Sequence, residues 1–298
     1  MTLILSLSRS NPMTDSRDVP TLGKVAQVAT FDGLAAAEAW RRSAAVRAAY
    51  MATATEMLLD MARVGLGARV LAVGSGAGGE ALDAAIRVGP KGHVEAADLS
   101  AAMIHAAKEA AVEAGVKNID FSVMDAQRLE FPDATFDAVI SRNVLMFIPD
   151  LTLGLAEMKR VLKPSGRVGA TVWSNGARNP RISGPLAAAR ALGGRPPDSA
   201  TYRIALRLGT SAALGRAFRS AGFRKLAVRR VTLTADYVDL DYAVSQAMEQ
   251  PGTRELVAIL GYKPQGRMQR SLRRRWARYA DPRGTHLPGE QLVASAAP

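Results

Sequence analysis

The stretch Arg69-Val70-Leu71-Ala72-Val73-Gly74-Ser75-Gly76-Ala77-Gly78-Gly79 decides the fold. Five residues that are mostly apolar and partly β-branched run straight into a glycine-rich turn, and an amphipathic helical pattern opens behind it, over Gly79 to Val88. A buried strand feeding a helix through glycines is the start of a βαβ unit. The turn lets backbone come close to a ligand, and the helix N-terminus offers unpaired N–H groups to an anionic or strongly polar one. Gly74, Gly76 and Gly79 also satisfy the dinucleotide pattern G-x-G-x-x-G. On these residues alone, NAD and S-adenosylmethionine are equally served.

Outward from this turn the rhythm repeats. His93 to Asp98 reads as the second strand and Ser100 caps the next helix, which ends near Gly115. Ile119 to Met124 and Phe136 to Ser141 are the third and fourth strands. A helix starting at Asp150 carries Leu151, Leu155, Met158 and Leu162 on one face and stops at Lys163-Pro164-Ser165-Gly166. Val168 to Trp173 is the fifth strand. Strands alternating with helices imply right-handed crossovers and a parallel sheet covered on both faces. Asp98, at the tip of the second strand, is placed to accept hydrogen bonds from ribose hydroxyls in either cofactor class.

Composition narrows the field. The 298 residues are 48% hydrophobic and 22% charged, an ordinary globular balance. There is no cysteine, which excludes disulfides, thiolate metal sites and a cysteine nucleophile. No apolar run approaches the roughly 18 residues of a membrane span, and the opening MTLILSLSRS lacks the basic region of a signal peptide, so a cytoplasmic location is expected. Lys and Arg number 39 against 27 Asp and Glu, a net charge of +12. Much of the excess lies between Lys263 and Arg283, including Arg273, Arg274 and Arg275. A solvated helix face explains this best, ahead of an acidic ligand or nucleic acid.

The expected organisation is a poorly ordered leader over 1–33, an N-terminal helical cap over 34–64 and a cofactor-binding core over 65–173. An insertion over 174–208, rich in proline and with little regular pattern, forms part of a substrate cap. Residues 209–298 complete the core, with a helical insertion over 236–283 and a last strand at Glu290 to Ala296.

The glycine turn, Asp98, the run Met124-Asp125-Ala126 through Phe136-Asp137-Ala138-Val139-Ile140-Ser141, and Leu162-Lys163-Pro164-Ser165-Gly166-Arg167-Val168 stand in order along the chain. Together they resemble the class I S-adenosylmethionine-dependent methyltransferases, most closely the ubiquinone/menaquinone-biosynthesis-like branch that acts on small molecules. The resemblance covers residues 55 to 173 well. It implies a Rossmann-like, doubly wound, mostly parallel seven-stranded α/β sheet with an N-terminal helical segment and a cap built from insertions. It implies S-adenosyl-L-methionine as cofactor, S-adenosyl-L-homocysteine as product and no metal. Gly74, Ser75, Gly76 and Gly78 would approach the methionine part. Asp98 would hold the ribose, Leu99 would pack on the adenine, and Asp125 with the Ala126 N–H would take the adenine edge. Asn143 would lie near the sulfonium. Asp137 is expected to be structural.

One departure stands out: the family usually has an acidic residue in the first strand where this chain has Ala72. That leaves a second reading, a methyltransferase-fold protein with a non-methylating role, such as a cofactor-assisted cyclase or a binding protein. RNA methylation is a lesser alternative resting on charge. The expected partner is a small, partly apolar acceptor bound among Trp40, Tyr50, Met146, Phe147 and Trp173, with no nucleic acid and no membrane span, and a homodimer is compatible with the chain. Of the three histidines, His93 and His105 read as structural and His286, placed before the last strand, as a weak candidate base. Ser141-Arg142-Asn143-Val144 lacks the Asn/Asp-Pro-Pro-aromatic tetrad of base-modifying enzymes and the clustered metal ligands of catechol-type enzymes.

Overall fold

A computed structural model describes residues 44–193, 204–261 and 264–298. The expected leader and Trp40 lie outside them. Helix α1 (Ala44–Met61) leads into β1 (Arg69–Val73), whose last four residues are all buried. Burial at successive positions means both faces of this strand are covered, as in the middle of a parallel sheet. The unit continues through α2 (Gly79–Val88), β2 (His93–Asp98), α3 (Ala101–Glu113), β3 (Ile119–Val123), β4 (Phe136–Arg142), α4 (Leu151–Arg160) and β5 (Leu162–Trp173). Helix starts follow their caps. Ser100 Oγ accepts from the Met103 N–H at 3.2 Å, and Asp150 Oδ1 from the Leu153 N–H at 3.0 Å.

After β5 come α5 (Pro180–Gly193), α6 (Ser211–Ser220), β6 (Arg224–Tyr237), α7 (Leu240–Met248), α8 (Pro251–Leu260), α9 (Gln265–Trp276), the two-residue β7 (Ala280–Asp281) and β8 (Gly284–Ala297). The sheet order is β3-β2-β1-β4-β5-β8-β6, with β7 pairing β8. Ladders between β1 to β5 are parallel, and β8 runs antiparallel to both β5 and β6. This is the expected doubly wound α/β architecture. The order reverses beside β1, so the crevice between the β1 and β4 tips is where such sheets bind ligands. Helices α5, α7, α8 and α9 pack on one another beside β8, and Trp276 of α9, 1% exposed, packs against Gly184 of α5.

Three local expectations are corrected. Helix α4 stops at Arg160, because Leu162 already pairs with Phe136; Lys163 to Gly166 form an irregularity in β5, between that pair and the Ala138–Arg167 pair. The segment after β5 contains a 14-residue helix, α5, where prolines suggested irregular chain. Pro180 is its first residue, a position where a missing N–H costs nothing, and burial of Ile182, Ala188 and Ala189 offsets the hydrogen bond that Pro185 cannot make. The last strand begins at Gly284, earlier than Glu290. Pro288 and Gly289 disguise it, yet β8 pairs β5 only from Gln291 onward, so Pro288 precedes that second ladder.

Candidate active site

A cavity of about 620 Å³ opens at the C-terminal ends of β1, β2 and β4. Its size is ordinary for a small-molecule or cofactor site. The glycine turn forms its floor. Gly74 adopts φ +72°, and a Cβ there would lie 2.4 Å from Val144 Cγ2, so only glycine lets β1 turn beneath the β4 loop. Gly76 donates its N–H to Asp98 Oδ2 at 2.8 Å, and Asp98 Oδ1 accepts from the Ser100 N–H at 2.9 Å. The carboxylate therefore ties the turn to the tip of β2 while facing the cavity. Across β3, Asp125 Oδ1 accepts from the Gln127 N–H at 3.0 Å, a local turn that points the Met124-Asp125-Ala126 corner at the same space.

Gly74, Ser75, Gly76, Asp98, Leu99, Asp125, Ala126 and Asn143 all line this one cavity, as do Phe147 and Trp173. Asn143 holds φ +60° at the end of β4, a conformation asparagine tolerates better than most residues. Its N–H bonds the Thr171 carbonyl at 3.0 Å, which fixes the strained corner beside the turn.

Other expected residues fall elsewhere. Gly78 does not line the cavity; it is the N-cap of α2 at φ +90°, a left-handed conformation that favours glycine, and a Cβ there would also come 3.1 Å from Ala107 Cβ of α3. Met146 is fully buried core and does not line the cavity. Tyr50 stacks on Trp173 with ring centroids 6.0 Å apart and supports the wall from behind. Burial pushes its hydroxyl pKa up to about 12, which removes it as a base near neutrality. His286 lies inside β8 rather than before it, with Nδ1 2.6 Å from Asp236 Oδ1, away from the cavity. His93 sits beside Glu95 and Asp120 at the start of β2, and His105 beside Glu109 on α3. Since the sequence has three histidines, none lines the cavity. Asp137 accepts from the Arg69 N–H at 2.9 Å and pairs with Lys163 Nζ at 2.7 Å, bracing β4 against its neighbours.

Sequence reasoning missed a charged group at the turn: Arg47, Glu80, Asp83 and Arg142 all line the cavity. Glu80, 3% exposed, pairs through Oε2 with Arg142 Nη2 at 2.9 Å. Arg142 Nη1 also donates to Thr55 Oγ1 of α1 at 2.8 Å. Burial raises the Glu80 pKa while Arg142 pulls against that rise. Arg47 is lowered to about 10, by burial first and then by repulsion from Arg142 and Arg181. An acidic residue in the first turn of a helix ordinarily reads as a partner of the helix dipole, so nothing in the sequence marked Glu80 as buried.

Residues 71–169 match the family model described as a methyltransferase domain. Over 114 residues the chain is 37% identical to the aklanonic acid methyltransferase DauC of Streptomyces sp. (strain C5), covering 38% of this chain and 52% of that protein. Over 175 residues it is 31% identical to the nocamycin O-methyltransferase of Saccharothrix syringae, covering 56% and 62%. The chain thus spans roughly half the length of the curated relatives it matches. Among solved structures, the cyclase SpnF superposes with a TM-score of 0.52 over 83% of this chain and 81% of that one, at 22% identity, a likeness of fold. The chain carries the methyltransferase domain over residues 71–169 and has the fold of the class I S-adenosylmethionine-dependent methyltransferases. Among the described residues, no helix is long and apolar enough to cross a membrane.

Proposed function

We propose that this protein transfers a methyl group from S-adenosyl-L-methionine to an oxygen, nitrogen or carbon of a small, partly apolar metabolite. The observation that carries this reading is the convergence of the Gly74–Gly76 turn, Asp98 and Asp125 on a single cavity. Two carboxylates at neighbouring strand tips suit the two ends of an adenosine, hydroxyls on one and an amino edge on the other. When bound, the cofactor supplies an electrophilic methyl on a sulfonium, open to in-line displacement. Asp98 would hold the ribose, Leu99 would cover the adenine, and Asp125 with the Ala126 N–H would take its polar edge. The backbone at Gly74 and Asn143 would fix the reacting end.

The chain's own contribution is mostly position and dryness. Val144, Phe147, Ile148 and Trp173 give the cavity an apolar wall that excludes water and aligns the acceptor. No histidine or cysteine can serve as base there. An acceptor already acidic enough to ionise, such as a carboxylic acid, phenol or stabilised enol, suits such a site. The names of DauC and the nocamycin enzyme point the same way, toward natural-product acceptors.

The test is to incubate the protein with S-adenosyl-L-methionine and a panel of phenolic, enolic and carboxylic acceptors. Stoichiometric S-adenosyl-L-homocysteine and singly methylated product, read by mass spectrometry, are expected. Tight NAD binding without binding of either adenosyl-sulfur ligand would overturn the reading. Ala72, where the family has an acid, favours the second reading of a cofactor-binding, non-methylating protein. That reading gains if the cofactor binds and no acceptor across the panel turns over.

A further inference from the structure

The charged group at the glycine turn is not needed for the adenosine, whose two ends the reading above gives to Asp98 and Asp125. Glu80 is a carboxylate almost wholly withdrawn from water, yet it lines the cavity beside Gly74 and Gly76. Arg142 holds it from one side, and Gly79 makes room for that guanidinium: a Cβ at residue 79 would lie 2.5 Å from Arg142 Nη2. Arg47 of α1 also lines the cavity, near enough to Arg142 and Glu80 for their charges to act on it. Burying charge is costly, and an apolar pair of similar volume would stabilise the fold as well or better. A buried carboxylate and a guanidinium that share a cavity wall match a zwitterion, which presents one ammonium and one carboxylate. Ala72, fully buried in β1, offers no such group.

We propose that Glu80, positioned by Arg142, binds the α-ammonium of the amino-acid end of an adenosyl-sulfur ligand, and that Arg47 binds its carboxylate. This rests on the cofactor reading above and names residues for an end of the site that Ala72 leaves without a side-chain acid. Glu80 here does the work of the acid that Ala72 replaces in β1, approached instead from the first turn of α2. Arg142 is a positioning residue: it pulls against the rise that burial imposes on the Glu80 pKa and aims the carboxylate, and Thr55 anchors it in turn.

Calorimetric titration with three probes separates this from a purely structural ion pair. S-adenosyl-L-homocysteine carries the whole amino-acid end, its decarboxylated analogue keeps only the ammonium, and 5′-methylthioadenosine has neither. Glu80→Gln is expected to weaken the first two by about thirtyfold, equivalent to ~2 kcal/mol at 1.4 kcal/mol per tenfold, and to leave 5′-methylthioadenosine within twofold. Arg47→Met is expected to weaken S-adenosyl-L-homocysteine by at least tenfold and to spare the other two. If Glu80→Gln does not fold, Gly79→Ala, which displaces the Arg142 guanidinium, is expected to reproduce the same pattern at about fivefold. Equal weakening of all three probes, or unchanged S-adenosyl-L-homocysteine affinity, overturns the proposal while leaving the cofactor reading standing. Wild-type protein that takes up none of the three defeats that reading itself, and this subsite with it.

Discussion

Asp98→Ala removes the carboxylate proposed to hold the ribose. Its carboxylate takes two backbone N–H groups, from Gly76 at 2.8 Å and Ser100 at 2.9 Å, so it organises the turn as well as facing the cavity. Hydrogen bonds to a charged acceptor contribute ~1.5–3 kcal/mol each. Removing two hydrogen bonds to the ribose hydroxyls, at the low end of that range, comes to ~3 kcal/mol, or roughly a hundredfold in Kd. Asp98→Asn keeps the shape and one acceptor oxygen but turns the other position into a donor, and about tenfold is expected. Calorimetric titration of S-adenosyl-L-homocysteine into each variant reads both values. Urea melts verify folding, since the alanine variant leaves the Gly76 and Ser100 N–H groups without their acceptor, at a cost of about 1–3 kcal/mol of stability. A folded Asp98→Ala protein that binds within threefold of wild type would refute the reasoning.

Three further outcomes follow from particular residues. Gly74→Ala combines a left-handed backbone with a Cβ 2.4 Å from Val144, so a loss of ~2–5 kcal/mol is expected in urea denaturation; adding Val144→Ala should recover the steric part only. Trp276→Ala empties the fully buried contact between α9 and α5, where a Cβ on Gly184 would already lie 2.8 Å from the indole nitrogen, and about 3–5 kcal/mol is expected. His286 has its pKa raised above 6.5, first by its hydrogen bond to Asp236 and then by Asp281. The contribution of this pair, which links β6 to β8, is complete below the unfolded value of about 6.5 and fades as pH rises through the folded one. A proton-NMR titration should place the His286 midpoint above 6.5, and Asp236→Asn should bring it down; a His286 midpoint at or below 6.5 would contradict the geometry.

Most of the sheet was legible because its signals are local. Leu71 to Gly79 announces strand, turn and helix in one line, and Ser100 and Asp150 cap the helices they precede. That Asp98 and Asp125 would line one cavity was legible for the same reason, since both stand at strand ends and a parallel sheet brings such ends together. What sequence could not show depends on packing between distant parts of the chain. Pro185 is tolerated inside α5 because the surrounding face is buried, and Pro288 inside β8 because of where the second ladder begins. Gly78 and Met146 carry the right residue types at the right spacing, yet neither lines the cavity: Gly78 makes the turn into α2 and Met146 is buried in the core. Glu80 has the look of an ordinary first-turn acid, and only the fold sets Arg142, from the far end of β4, beside it.

The most direct test is a crystal structure of the protein with S-adenosyl-L-homocysteine. The ribose is expected on the Asp98 carboxylate, the adenine edge at Asp125 and Ala126, and the thioether by Gly74 and Asn143. A nucleoside bound with neither Asp98 nor Asp125 in contact would contradict the account at its root.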